Sequence, residues 1–256
     1  MVFYFTATGN SLYAAKSLEE TPVSIPQAIH AEQPVYEDER IGVVCPIFGH
    51  LLPPMVQEFL KKARFKTDYF YMVLTYGMRH GGAAELAEQF LRENGITPSY
   101  INTLQMVDNF LPGFDMDEQR AMDPEKHVEE HLAQIGRDIM EKRCYIQPAT
   151  DADRAAHQEF LSRSTVAPAD RWKDIYTVTN ACIGCGICTR VCPSGCWQLK
   201  DGHAVYQDKN CQCCMACIHS CPEKAIQMTI PEKNPQARYR NEHIKLAEII
   251  AANHQN

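Results

Sequence analysis

The first 145 residues alternate between short apolar runs and segments of helical periodicity. Met1 to Thr6 reads as a strand, and Leu12, Ala15 and Leu18 give Asn10 to Leu18 the spacing of one helix face. Val23 to Ile29 reads as a weaker strand, interrupted by Pro26 and therefore suited to a sheet edge. Ile41-Gly42-Val43-Val44-Cys45 is a continuous apolar run, the pattern of a parallel strand covered on both faces. A helix from Pro54 to Ala63 follows, then a strand from Tyr69 to Thr75, a helix from Gly82 to Glu93 ended at Gly95, and a strand from Tyr100 to Val107. The last helix of this part, Pro124 to Arg143, has Asp123 as its cap and Pro124 in its first turn.

This rhythm predicts an α/β fold, an open five-stranded parallel sheet in the order 2-1-3-4-5 with helices on both faces. Ligands of such sheets bind beyond the carboxyl ends of the strands where the order reverses, here between the first and third. Thr6-Ala7-Thr8-Gly9-Asn10-Ser11 sits at that point. A helix starting near Asn10 leaves backbone N–H groups unpaired at the positive end of its dipole. Thr6, Thr8 and Ser11 add hydroxyls, and Gly9 permits the tight turn. No basic residue precedes Lys16, and neither G-x-x-x-x-G-K nor G-x-G-x-x-G is present, so the turn suits one monoester phosphate held by neutral donors. The plainer alternative is that Thr8 to Ser11 only caps the helix.

Of the 12 cysteines, only Cys45 and Cys144 lie outside the stretch from Cys182 to Cys221. Cys182, Cys185, Cys188, Cys192 and Pro193 read C-x2-C-x2-C-x3-C-P, and adding 29 to each position gives Cys211, Cys214, Cys217, Cys221 and Pro222. This internal repeat is the bacterial ferredoxin pattern, in which each fourth cysteine ligates the other cluster. Three thiolates on a tight loop face one cubane, while the fourth, displaced and turned by proline, points at its neighbour. The resemblance implies two 4Fe-4S clusters, one on Cys182, Cys185, Cys188 and Cys221, the other on Cys211, Cys214, Cys217 and Cys192. Gly184, Gly186 and Ala216 suit loops whose backbone approaches a cluster. Cys196 and Cys213 fall outside the repeat and read as non-ligands. Zinc sites use separated ligand pairs, which leaves the third cysteine and the proline unexplained. A disulfide framework conflicts with a reducing compartment.

Composition adds limits. The 256 residues allow one domain of ordinary size and a smaller one. A formal charge of -7 gives no support for a nucleic-acid partner. No apolar run reaches the roughly 18 residues of a membrane span, and the N-terminus lacks the features of a secretory signal, so a cytoplasmic protein is expected.

Thr6-Ala7-Thr8-Gly9-Asn10-Ser11 resembles the T-x-T-G-x-T/S phosphate loop of flavodoxins, which bind FMN. Pro46-Ile47-Phe48-Gly49-His50 and Thr75-Tyr76-Gly77-Met78 follow the third and fourth strands, the two places where flavodoxin-like proteins flank the isoalloxazine ring. The resemblance makes Phe48 and Tyr76 stacking candidates and Gly49 and Gly77 points of close backbone approach, with Gly81-Gly82 and Asn109-Phe110 as weaker candidates. No tryptophan precedes Trp172, a departure from many flavodoxins. The whole chain resembles the flavodoxin-ferredoxin fusion family. Its expected divisions are a flavodoxin-like FMN domain over 1–145, a connector over 146–173 with a helix from Asp153 to Leu161, a ferredoxin domain over 174–232, and a helical tail over 233–256, with its helix from Asn241 to Ala252. The resemblance implies an electron relay between FMN and the clusters, serving redox partner proteins, with a homodimer as one way to bring the groups within reach. A second reading is an FMN-dependent reductase using His50, Arg79 and His80. A third is a flavin-free docking scaffold.

Overall fold

The computed structural model describes residues 1–166, 174–208 and 210–254. The N-terminal half runs β1 (Val2–Tyr4), α1 (Asn10–Leu18), β2 (Val23–Ser24), α2 (Ile25–Ala28), β3 (Val35–Glu37), β4 (Arg40–Pro46), α3 (Pro54–Lys62), β5 (Arg64–Lys66), β6 (Tyr69–Tyr76), α4 (Ala83–Glu93), β7 (Tyr100–Gln105), α5 (Met116–Ala121), α6 (Val128–Met140) and β8 (Tyr145–Ile146). Helix α7 (Asp151–Val166) leads to the cysteine-rich half: β9 (Tyr176–Val178), α8 (Ile187–Val191), β10 (Trp197–Lys200), β11 (His203–Tyr206), α9 (Ala216–Ser220), β12 (Ile226–Met228) and α10 (Leu246–Asn253).

The main sheet has six parallel strands in the order β2-β1-β4-β6-β7-β8. Strands β4 and β6 are buried over nearly their whole length, as their unbroken apolar sequences require of strands covered on both faces. Helix α1 lies against α6, and Lys61 of α3 stands over the Phe90 ring of α4 at 5.5 Å. Phe3, Tyr36, Phe59 and Phe65 form an aromatic cluster beneath α3, with Phe3 and Phe59 ring centroids 5.0 Å apart.

Several expectations are corrected. The sheet has six strands rather than five, because Tyr145–Ile146 adds to β7 through bonds from Tyr145 N–H to Ser99 O and Gln147 N–H to Ile101 O, both 2.9 Å. The expected second strand stops at Ser24, where Ile25–Ala28 turns helical with Pro26 in its first turn, a position that needs no N–H. The helix expected over Pro124 to Arg143 is broken: Asp123–Lys126 is a 3-10 turn, His127 is left-handed at φ 48°, and α6 starts at Val128. A parallel pair, β3 with β5, lies outside the main sheet and was not expected. The connector helix is longer than expected, and the tail helix starts at Leu246 rather than Asn241. Residues 167–173 of the expected connector lie outside the described residues.

The two halves of the cysteine-rich region carry the repeat in their strands as well. β10 pairs antiparallel with β11, and β12 with β9, two small hairpin-like sheets bracketing α8 and α9. The tail crosses back to the N-terminal half: Ser24 Oγ and Gln27 Nε2 donate to the Ala252 and Ala251 carbonyls, and fully buried Asn253 donates to Thr6 O at 3.0 Å and Val191 O at 3.2 Å. Among the described residues, no helix is long and apolar enough to cross a membrane.

Candidate functional site

The two cysteine runs fold into matching loops. Gly184 and Gly186 of the first run are left-handed at φ 67° and 70°; 29 residues on, Cys213 and Met215 take the same conformation at 51° and 62°. Gly184 has no alternative, because a Cβ there would strike the backbone carbonyl of Gly202. Cys213 therefore fills in the second run the turn position that Gly184 fills in the first. Cys196 is the counterpart of Ala225: the Cys196 N–H donates to Cys192 Sγ at 3.2 Å, and the Ala225 N–H to Cys221 Sγ at 3.3 Å.

A small, partly open cavity is lined by Cys182, Cys185, Cys188 and Cys221, with Pro222 and Ala225 beside them. The fourth thiol thus comes from the other run. Burial, with the thiols of Cys185, Cys221 and Cys182 close by, pushes Cys188 up to about 12. The second set mirrors it. Burial raises Cys214, with Cys192 and Cys211 nearby, and raises Cys217, with Cys214, Cys192 and Cys211 nearby. Hydrogen bonds from Cys196 and Cys213 hold Cys211 below the ordinary thiol range, and the bond from Cys196 does the same for Cys192. Ala204 N–H donates to Cys182 Sγ and Cys213 N–H to Cys211 Sγ, each at 3.4 Å.

These residues fit an iron–sulfur cluster. Four thiols lining one small space cannot all ionise without a cation to offset their repulsion, and a coordinated thiol is deprotonated outright. The backbone N–H groups aimed at sulfur are the donors that tune such sites.

At the other end of the chain, Thr6, Thr8 and Ser11 are buried, and α1 begins at Asn10 behind left-handed Gly9. The hydroxyls are engaged: Gly9 N–H donates to Thr6 Oγ1 (3.2 Å), Asn109 Nδ2 to Thr8 Oγ1 (2.8 Å), and Ser11 Oγ lies 2.8 Å from Thr75 Oγ1. Asn10 is held by Tyr239 Oη (2.7 Å) and Asn241 Nδ2 (3.2 Å), and its own Nδ2 donates to Val107 O. The Ala7 and Thr8 N–H groups donate to no acceptor among the described residues, and those of Asn10, Ser11 and Leu12 have no intrahelical partner. Buried N–H groups left over in a cationless turn fit a phosphate.

The two later loops come together at the same end of the sheet. Pro46 is in register with Thr75, and Ile47 N–H donates to Thr75 O at 3.0 Å. Phe48 packs edge-on to Phe5, and Tyr76 edge-on to His80. Gly77 O accepts from Gln105 Nε2, and exposed Met78 donates its N–H to Asp108 Oδ2 at 3.1 Å. Gly49 is covered by the Phe160 ring of α7. His50 Nδ1 lies 3.3 Å from His157 Nδ1, His80 Nε2 lies 3.4 Å from Asp153, and Arg79 pairs with Glu159 at 3.8 Å, so α7 seals this edge. Asn109, one of the weaker candidates, does reach the turn, whereas sequence reasoning missed His219, Tyr239 and Asn253, whose partners lie far away along the chain; nothing periodic marks such residues.

A family model described as a 4Fe-4S binding domain matches residues 175–198. Over 60 residues the chain is 37% identical to a component of the ion-translocating oxidoreductase complex of Methanosarcina acetivorans, a match spanning 23% of this chain and 23% of that protein. A solved structure from Bacteroides uniformis, provisionally named a flavoprotein, covers 47% of this chain and 94% of its own at 16% identity and a TM-score of 0.33.

Proposed function

We propose that this chain is an electron-transfer protein with three divisions: an FMN-binding flavodoxin-like domain over 1–145, a connector over 146–173, and a two-cluster 4Fe-4S domain over 174–232, closed by the tail over 233–256. The observation that carries the reading is the exchange of the fourth cysteine: Cys221 joins the thiols of the first run and Cys192 those of the second. The 4Fe-4S match and the likeness to a component of an oxidoreductase complex support it.

When bound, FMN supplies exchange of either two electrons or one, and each cluster supplies exchange of one. The chain's part is to hold and enclose these groups. Backbone N–H groups of Ala7, Thr8, Asn10 and Ser11 would take the phosphate at the positive end of the α1 dipole. Cys182, Cys185, Cys188 and Cys221 would ligate one cluster, and Cys192, Cys211, Cys214 and Cys217 the other. Trp197, Val191 and Ile218 exclude water beside them. A second reading, a reductase acting on a small molecule, is favoured by the gathering of His50, His80, His157 and Arg79 at one edge.

Iron and acid-released flavin in protein purified without oxygen test the proposal. About eight irons and one FMN per chain are expected. Eight irons without flavin, even after incubation with FMN, would leave a ferredoxin with a docking domain; absence of iron would overturn the reading.

A further inference from the structure

The two thiol sets differ in exposure. Cys192, Cys214 and Cys217 of the second are buried, whereas in the first Cys185 is exposed and Cys182 and Cys221 are partly so, which makes that set the outward one. His219 is buried on α9 between Cys217 and Cys221, one thiol of each set, and its ring reaches across to the N-terminal half. Both ring nitrogens are committed to backbone groups. Nδ1 accepts the Tyr239 N–H at 3.0 Å, and an amide N–H can only donate, so Nδ1 carries no proton. Nε2 therefore holds the proton and donates it to the Asn109 carbonyl, 2.9 Å away.

Each residue that the imidazole holds uses its own side chain to grip the turn at Thr6 to Ser11. Asn109 Nδ2 donates to Thr8 Oγ1 at 2.8 Å, and Tyr239 Oη donates to Asn10 Oδ1 at 2.7 Å. Asn241, two residues after Tyr239, adds its N–H to Thr8 O at 2.8 Å and its Nδ2 to Asn10 Oδ1 at 3.2 Å. One side chain thus anchors two arms, which fix the turn before and after left-handed Gly9. Neither arm uses a backbone N–H of the turn, so the groups that would take the phosphate are left for it.

We infer that His219 is a positioning residue for FMN: it braces the phosphate turn from the helix that carries Cys217, so that the flavin seats firmly only when that helix is in place. The inference rests on the FMN reading above. Phenylalanine at this position would leave the Tyr239 N–H and the Asn109 carbonyl without their partner in a dry interior, and both arms would lose their anchor.

The test uses full-length protein purified without oxygen, its iron verified at about eight per chain, with FMN as the probe and quenching of flavin fluorescence as the signal. His219→Phe is expected to raise the FMN dissociation constant about tenfold, the order of one buried hydrogen bond lost, with iron unchanged. His219→Gln, whose amide offers one acceptor and a donor, is expected to restore most of the affinity. Asn109→Ala is expected to weaken FMN binding severalfold in the wild-type background and hardly at all in His219→Phe, where its arm has already lost its anchor. Linkage is reciprocal, so FMN is expected to slow iron release to a chelator in wild-type protein and not in His219→Phe. An unchanged dissociation constant in His219→Phe would overturn the inference and leave the flavin reading intact. Independent, additive effects of the two substitutions would do the same, because Asn109 would then act on Thr8 without His219. If His219→Phe loses its iron, Asn109→Ala and Tyr239→Phe decide, since each cuts an arm and leaves the His219 bonds in place; unchanged FMN binding in both overturns the inference. Wild-type protein that holds its iron and takes up no FMN would instead overturn the flavin reading, and this inference with it.

Discussion

Replacing Cys221 by alanine removes a thiol from the cavity formed by the first cysteine run, although Cys221 belongs to the second. If the protein holds about eight irons, four in each set, the single variants Cys182→Ala and Cys221→Ala each leave about four. Their combination also leaves about four, because both act on one site. Cys182→Ala combined with Cys192→Ala strikes both sites and leaves close to none. The same logic underlies a double-mutant cycle: changes to one unit fail to add, and changes to independent units add. The assay is iron per chain in protein purified without oxygen, with circular dichroism to show that the fold persists. An uncrossed arrangement predicts the reverse, with Cys182→Ala plus Cys192→Ala retaining about four irons. That result would refute the exchange of fourth ligands, and with it the geometry on which the functional reading rests.

Gly184→Ala forces a left-handed backbone, about 1–2 kcal/mol, and drives a Cβ into the Gly202 carbonyl, which cannot yield; a fall in Tm of several degrees and loss of iron from the outward set alone are expected. Glu232→Gln strands the Arg238 guanidinium, whose partner lies at 2.8 Å in a pair whose side chains are only 9% and 3% exposed; chemical denaturation should register a loss of about 3–5 kcal/mol, and an unchanged midpoint would show the pair to be dispensable. His50 is held below its ordinary range chiefly by burial, with His157, His80 and Arg79 adding to the effect and Asp153 opposing it. Its neutral form is therefore favoured in the fold, so stability declines as pH falls below the ordinary histidine value near 6.5. His50→Gln should flatten that decline in urea midpoints measured between about pH 7 and 5; an equally steep decline would mean that other groups cause it.

The cluster loops were legible because a repeat of fixed length writes the same constraint twice. Once Cys182 and Cys211 are aligned, the left-handed turn at Gly184 is matched by Cys213, and the sulfur-directed N–H of Ala225 by that of Cys196. The strands β4 and β6 were legible because burial on both faces demands an unbroken apolar run. Tyr145–Ile146 was not, since two residues carry no alternation and the strand exists only because Ser99 and Ile101 offer it carbonyls. Pro26 misled for a related reason: a proline tolerated at a sheet edge is equally tolerated in the first turn of a helix. The turn at Thr6 to Ser11 was placed by its helix start and Asn109 by its place after the last long strand, but the other side chains that close over it come from Tyr239 and Asn253, contacts with no local signature.

Asn253 also has a bearing on how the molecule is assembled. The carbonyl of Thr6 waits for an amide 247 positions further along the chain. During synthesis, β1, β4, β6 and β7 emerge long before that amide, so an N-terminal sheet that folds as it is made stands with this turn unfinished. The turn is completed only when the cysteine-rich half has folded far enough to present Val191, because the same Asn253 amide binds both carbonyls. Maturation of the two ends is thereby made a single late event, and a chain that stalls before its tail would carry a formed sheet around an open turn.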